Sequence, residues 1–186
     1  MVSLAVFASG NGSNFEALVH GAKAYQIKCL IVDQKDAYAI DRARNINIPF
    51  YFIDRNKFQS RKDYESAILE ILCHHQIEWI ALAGYMRMIG QTLMKAYPNK
   101  IINIHPSLLP AFPGKHAIQD AYQSQVKKTG VTIFIIDEGI DTGKIIAQRS
   151  LEIKENIKIE DLEKEIHQIE HELFSQTLND LIGGKK

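Results

Sequence analysis

Seven short apolar runs, separated by stretches with helix signatures, constrain this chain more than any other feature. They fall at Leu4–Ala8, Ile27–Val32, Ile48–Ile53, Glu78–Ala83, Ile101–Ile104, Val131–Ile136 and Ile145–Arg149. Several are apolar at consecutive positions, the pattern of strands covered on both faces in a parallel sheet. Between them lie helix signals. Ser13 followed by Glu16 fits a capping box that opens a helix at Asn14. Ser60 with Asp63 makes a second start, and Tyr64, Ala67, Ile68, Ile71 and Leu72 continue as one helical stripe. A last helix is expected from about Glu160 to Ile182, with Leu162, Ile166, Ile169 and Leu173 inward and Gly183 as its stop. Strand and helix alternating in this way predict an α/β fold of βαβ units: a doubly wound, mostly parallel twisted sheet of about seven strands with helices on both faces. At 186 residues the chain reads as one domain, 1–186, large enough to fold without a disulfide or a structural metal.

Composition narrows the function. Lys plus Arg and Asp plus Glu both number 22, so there is no basic excess of the kind that tracks a phosphate backbone, and a nucleic-acid platform is disfavoured. Cys29 and Cys73 match neither a disulfide framework nor a zinc pattern. No apolar run approaches the roughly 18 residues of a membrane span. Val2–Ala8 has no Lys or Arg before it and runs into Gly10-Asn11-Gly12, unlike a secretory leader. The expectation is a soluble, cytoplasmic protein with no membrane partner.

In doubly wound sheets, ligands sit beyond the carboxyl ends of the strands, which directs attention to Ser9–Asn14, Gly84–Ile89, Asn103–Gly114 and Asp137–Gly143. The first of these leaves a strand and enters a helix through two glycines, so its free N–H groups suit a phosphate or small anion. It lacks the third glycine of a dinucleotide loop and the Gly-Lys-Ser/Thr of a Walker loop. A tight turn with a capping serine accounts for it equally well.

Asn103-Ile104-His105-Pro106-Ser107-Leu108-Leu109-Pro110 is the most unusual stretch. Alternation along a strand sends Asn103 and His105 to the same side, and Pro106 keeps His105 extended. Asp141 stands in another loop, where Gly139 and Gly143 are expected to let the backbone turn sharply. An amide can donate to a developing oxyanion, an imidazole can move a proton near neutrality, and a carboxylate can orient and charge the imidazole. The set suits acyl transfer from a carrier to an amine without a covalent enzyme adduct. A core histidine bonded to backbone, beside a turn asparagine, explains the same letters. A Ser107–His105–Asp141 hydrolase triad is a third reading, without the Gly-x-Ser-x-Gly elbow that usually presents such a serine.

Taken together, Gly10-Asn11-Gly12-Ser13-Asn14, Leu82-Ala83-Gly84-Tyr85-Met86-Arg87, the Asn103–Pro110 run and Asp137-Glu138-Gly139-Ile140-Asp141-Thr142-Gly143 resemble the folate-dependent phosphoribosylglycinamide formyltransferases of purine synthesis. The likeness extends over nearly the whole chain. The chain is expected to carry neither the added C-terminal domain of the tRNA-directed relatives nor the regulatory N-terminal domain of the deformylases. The resemblance implies a formyltransferase fold with a Rossmann-like N-terminal half, phosphate binding in about 1–100 and donor binding with catalysis in about 101–186. It implies that Gly12, Ser13 and Asn14 hold the phosphate of glycinamide ribonucleotide and that Glu170 meets its ribose. Arg61, Met86, Arg87, Met88 and Ile89 would line the 10-formyltetrahydrofolate site, with Asp137, Glu138, Gly139, Ile140 and Asp141 as its other wall. Asn103 would polarise the formyl oxygen, His105 would act as general acid–base, and Asp141 would support its charge. No metal is implied; the partners are small-molecule substrates, and the oligomer is a monomer or a homodimer. A hydrolase acting on the same folate, or a non-catalytic nucleotide-binding module, are the alternative functions. Two positions depart from the usual pattern: Lys144 replaces a common proline, and Asp33-Gln34 replaces a common Ser-Asn.

Other motifs read as structure. His167-Gln168-Ile169-Glu170-His171 spells an inverted zinc-protease motif, but only 15 residues follow it, leaving no downstream glutamate partner. His74-His75 at a helix end is expected to carry charge that favours the dipole. Cys29 and Cys73 are expected to be buried thiols, and Lys127-Lys128 and Lys185-Lys186 to be solvated loop and tail charges.

Overall fold

The elements run β1 (Val2–Ala8), α1 (Ser13–His20), β2 (Tyr25–Val32), α2 (Ala39–Asn45), β3 (Phe50–Phe52), a 3₁₀ turn (Arg55–Lys57), α3 (Arg61–His74), β4 (Trp79–Leu82), α4 (Gln91–Ala96), β5 (Ile101–His105), α5 (Ala117–Gln123), β6 (Lys128–Ile135), β7 (Lys144–Glu152) and α6 (Ile159–Ile182). The structure, a computed structural model, describes residues 1–184; Lys185-Lys186 lies outside them.

All seven strands join one sheet in the order β3-β2-β1-β4-β5-β6-β7. The first five pair in parallel, as the alternation predicts. The last two do not: β6 is antiparallel to β5, and β7 to β6. Between β6 and β7 a parallel crossover would need about a dozen residues or more, and the segment 136–143 is too short to supply one. β7 is also longer than its apolar run, because alternate residues along it face solvent.

Side-chain alternation splits the sheet into two cores. On one face Leu4, Val6, Leu30, Ile102, Ile104 and Ile133 meet α1, α2, α5 and α6 through Phe15, Ala43, Ile118 and Phe174. On the other, Phe7, Ile31, Ile80, Leu82 and Ile101 meet α3 and α4 through Ile68, Leu72 and Leu93. Helices therefore cover both faces. The second face has only the six-residue α4 near β5, so the side of β5 that carries Ile101, Asn103 and His105 is thinly covered.

Local signals hold with three exceptions. α3 starts as expected, with the Ser60 side chain accepting the Asp63 N–H at 3.1 Å. α6 ends at Gly183, whose N–H reaches Asn179 O at 2.8 Å. The Ser13 capping box, however, does not form. Gly12 holds the N-cap in a left-handed conformation (φ 76°), Ser13 becomes the first helical residue, and Glu16 pairs with Arg42 instead. Cys73 is exposed rather than buried, since it lies a residue past Leu72 and off the inward stripe; Cys29 is buried, which pushes its thiol up to about 12. His75 does not carry the expected charge: its pKa is lowered by desolvation and then by His74 and Lys28, while its Nε2 meets the Tyr51 hydroxyl at 2.7 Å.

Fully buried Phe174 pins α6 to the first core. Truncating it to alanine is expected to cost about 3–5 kcal/mol, against about 1 kcal/mol for removing the cap with Ser60→Ala. Urea unfolding of the two variants measures the difference.

Candidate active site

The first loop is braced from α2. Ala39 N–H donates to Gly10 O at 3.1 Å, and Ala39 packs so closely that a Cβ on Gly12 would fall 2.6 Å from its side chain. Arg42 donates to both oxygens of Asn11, backbone and side chain, at 2.9 Å each. Gly12 is thus required twice, for its left-handed φ and for its contact with Ala39. The loop delivers Ser13 and Asn14 to the amino end of α1, where N–H groups are unused by the helix.

Across this loop stands Glu170, 4% exposed although its residue type is usually solvated. Its Oε2 accepts from Asn14 Nδ2 at 3.1 Å and meets His167 Nδ1 at 2.8 Å. The His167 pKa is raised, first by this hydrogen bond and then, against desolvation, by the carboxylate charge. Asn14 Oδ1 and His171 Nε2 are buried without a hydrogen-bond partner. Residues 156 apart in sequence therefore form one polar patch. Among the described residues no three His, Cys, Asp or Glu side chains group as a metal site.

β5 presents Asn103 and His105 on the thinly covered face, Asn103 half-buried and His105 buried. His105 Nε2 lies 2.8 Å from Phe112 O. A carbonyl only accepts, so Nε2 carries the hydrogen, and Nδ1 is the nitrogen free to exchange a proton. Asp141 Oδ2 lies 3.5 Å from Nδ1, close enough for charge stabilisation but too far for a hydrogen bond. The ring is therefore oriented by Phe112, not by Asp141 as expected, and the Asp141 carboxylate is itself held by Gly114 N–H at 2.8 Å.

The route to Asp141 also differs from expectation. β6 runs against β5, so its carboxyl end emerges beside Ile101, with Ile136 N–H on Ile101 O at 3.1 Å. The following loop folds back across the face to reach His105. Asp141 itself is left-handed (φ 54°), whereas Gly139 and Gly143 serve close approach: their Cβ atoms would fall 2.0 Å from Thr142 Oγ1 and 1.8 Å from Ile135 O. Ser107 is excluded as a nucleophile. It is fully buried, and its hydroxyl donates to Ala111 O at 2.5 Å.

The remaining wall residues divide. Met86, Met88 and Ile140 are large apolar side chains left exposed, an arrangement that calls for a partner. Ile89 enters the second core, and Arg87 turns to Asp33, its Nε 2.7 Å from Oδ2 without hydrogen-bond alignment. Arg61 is exposed at the start of α3. Asp137 Oδ1 accepts from Thr142 Oγ1 at 2.7 Å, and Glu138 accepts from Gln91 at 2.5 Å, closing the loop on itself and on α4. Phe112, Arg42 and Asp33 were not singled out for these roles. Only Asp33 left a trace in the sequence, as a departure at the end of β2.

The sequence profile described as formyl transferase matches residues 2–178. The chain is 46% identical to phosphoribosylglycinamide formyltransferase of Bacillus subtilis (strain 168), over 98% of this chain and 96% of that one. It superimposes on glycinamide ribonucleotide transformylase 1 of Geobacillus kaustophilus with a TM-score of 0.94 and 50% identity, covering 98% of this chain and 99% of that one. With phosphoribosylglycinamide formyltransferase of Streptococcus pneumoniae TIGR4 the TM-score is 0.93 at 40% identity, covering 97% and 99%.

The raised His167 pKa fixes a sign. Its pair with Glu170 adds stability that is fully present below the unfolded histidine value of about 6.5 and is lost as pH rises through the higher folded value. Thermal unfolding across pH 5–9 is expected to show this decline in the wild type and not in His167→Gln.

Proposed function

The chain belongs to the formyl transferase family and is a transferase that formylates phosphoribosylglycinamide in purine biosynthesis; we propose that 10-formyltetrahydrofolate is its donor and that Asn103, His105 and Asp141 carry the reaction. The family's use of a formyl-folate fits the apolar surface of Met86, Met88 and Ile140 beside the polar groups of β5. In this reading Gly12, Ser13 and Asn14 hold the phosphate at the amino end of α1, and Glu170, already oriented by Asn14 and His167, receives the ribose hydroxyls. The donor lies between Arg61 with Met86–Ile89 and the Asp137–Asp141 loop. The substrates are small molecules, and no helix among the described residues is long and apolar enough to cross a membrane. We read 1–186 as one formyltransferase unit acting in the cytoplasm.

The observation that carries this reading is the state of His105. With Nε2 bound to a carbonyl, Nδ1 alone exchanges protons, and a proton arriving there meets the Asp141 carboxylate at 3.5 Å. The substrate amine attacks the formyl carbon, and negative charge develops on the formyl oxygen, where the Asn103 amide donates. The bond from that carbon to the folate N10 breaks. The attacking nitrogen gives up one proton and N10 takes one, so the transfer consumes none, and His105 needs only to relay it.

Ultraviolet absorbance of 10-formyltetrahydrofolate tests the function directly. Turnover is expected only when glycinamide ribonucleotide is present; equal turnover without it would make the protein a hydrolase. Asn103→Ala is expected to lower kcat by about 10²–10³ with folding intact. Near wild-type turnover in that variant would remove Asn103 from the mechanism.

A further inference from the structure

Glu65 is a carboxylate where the helix pattern calls for a core residue. It sits on α3 beside Tyr64 and is 2% exposed. Burying a charge is costly unless its hydrogen-bonding capacity is met. Here both oxygens meet it with backbone: Gly90 N–H donates to Oε1, and Leu93 N–H donates to Oε2 at 3.3 Å. Gly90 is the N-cap of α4 and has no side chain with which to cap it. Glu65, from another helix, takes over that task. It satisfies an otherwise unused donor and places negative charge at the positive end of α4.

The contact is close as well as polar. Gly90 has φ −103°, which any residue adopts, so its glycine serves space and not turning. A Cβ there would fall 2.7 Å from Arg61 Cδ and 2.8 Å from Glu65 Oε1. Arg61 and Glu65 are four residues apart, hence neighbours on one face of α3, and that face receives Gly90. Gly90 directly follows Met86–Ile89. One buried carboxylate therefore fixes the distance between the two segments, Arg61 and Met86–Ile89, that form one wall of the donor site.

We propose that Glu65 is the positioning residue of the donor wall: by capping α4 it holds Met86–Ile89 in register with Arg61, and so governs binding of the formyl donor without touching the reacting atoms. This rests on the assignment of that wall to 10-formyltetrahydrofolate. Glu65→Gln keeps the shape but replaces one acceptor with an amide that faces an N–H. In steady-state assays varying each substrate, KM for the donor is expected to rise about tenfold or more, the scale of one lost charge-assisted hydrogen bond. kcat at saturating donor and KM for the ribonucleotide should stay within about threefold of wild type. Gly90→Ala, which leaves the carboxylate in place and wedges the same contact apart, should give the same split, and it decides the matter if Glu65→Gln fails to fold. A merely structural role would lower the melting temperature and disturb both substrates alike. That result, or an unchanged donor KM in both variants, overturns the positioning role while the enzyme's function stands. A wild-type enzyme indifferent to the donor would overturn both.

Discussion

The antiparallel pairing of β6 on β5, Ile102 opposite Ile135 and His105 opposite Thr132, determines where every proposed reacting group lies. Had β6 continued the parallel pattern, its following loop would have emerged beside His105 and run out over the edge of the sheet. Instead it emerges beside Ile101 and must return across the sheet face, bringing apolar Ile140 and the Asp141 carboxylate over β5. The same reversal is stitched at the far end. Thr132 donates to Ser107 O at 2.6 Å and accepts the Leu109 N–H at 3.0 Å, so β6 also fixes the segment after His105. Gln148 on β7 adds a donor to Leu109 O at 2.9 Å.

Buried carboxylates tie this frame together, each through a different kind of partner. Glu65 meets backbone N–H groups, Glu170 an amide and an imidazole, and Asp33 a guanidinium. In each case at least one partner comes from a distant segment, Gly90 and Leu93 for Glu65, Asn14 for Glu170 and Arg87 for Asp33, so the contact couples elements that the hydrophobic cores alone would leave free to slide. Apolar packing is non-directional and fixes which faces meet; directional polar bonds inside a low-dielectric core fix the register. The proposed phosphate loop, donor wall and ribose carboxylate each draw on such a bond, through Glu170 or Glu65.

The sheet and its helices were legible because burial imposes a period on the residues. The consecutive apolar letters of Leu4–Ala8 and the stripe from Tyr64 to Leu72 follow directly from what each element must cover. Strand direction was not legible at β6, because Val131–Ile136 has the same apolar letters whichever way it runs, and the link from β5 is long enough, with α5 inside it, for either direction; the short link to β7 fixes only the pairing of β7 with β6. Asn103 and His105 could be placed together because strand alternation and Pro106 act locally. The partners of His105 could not. Phe112 contributes a carbonyl, which every residue has, and Asp141, although it faces the imidazole, does not orient the ring. Glu65 and Arg42 left no signal at all, since a charged letter on a helix is ordinarily solvated and only the tertiary contact makes it structural.

The two segments that converge on His105 share one feature. Phe112 and Asp141 are both non-glycine residues in the left-handed region, with φ 52° and 54°. For an aspartate this is tolerated, while for a bulky aromatic it is a strained state, costing about 1–2 kcal/mol. Each of these residues is also a partner of the imidazole, Phe112 through its carbonyl on Nε2 and Asp141 through its carboxylate opposite Nδ1. A backbone that turned in the ordinary right-handed sense at either point would aim that group elsewhere. They are two of the seven non-glycine residues with positive φ among the described ones, and the bond from Gly114 N–H to Asp141 joins their two segments. Loop geometry, more than the identity of the proposed triad residues, therefore sets the state of the imidazole on which the proposed proton relay depends.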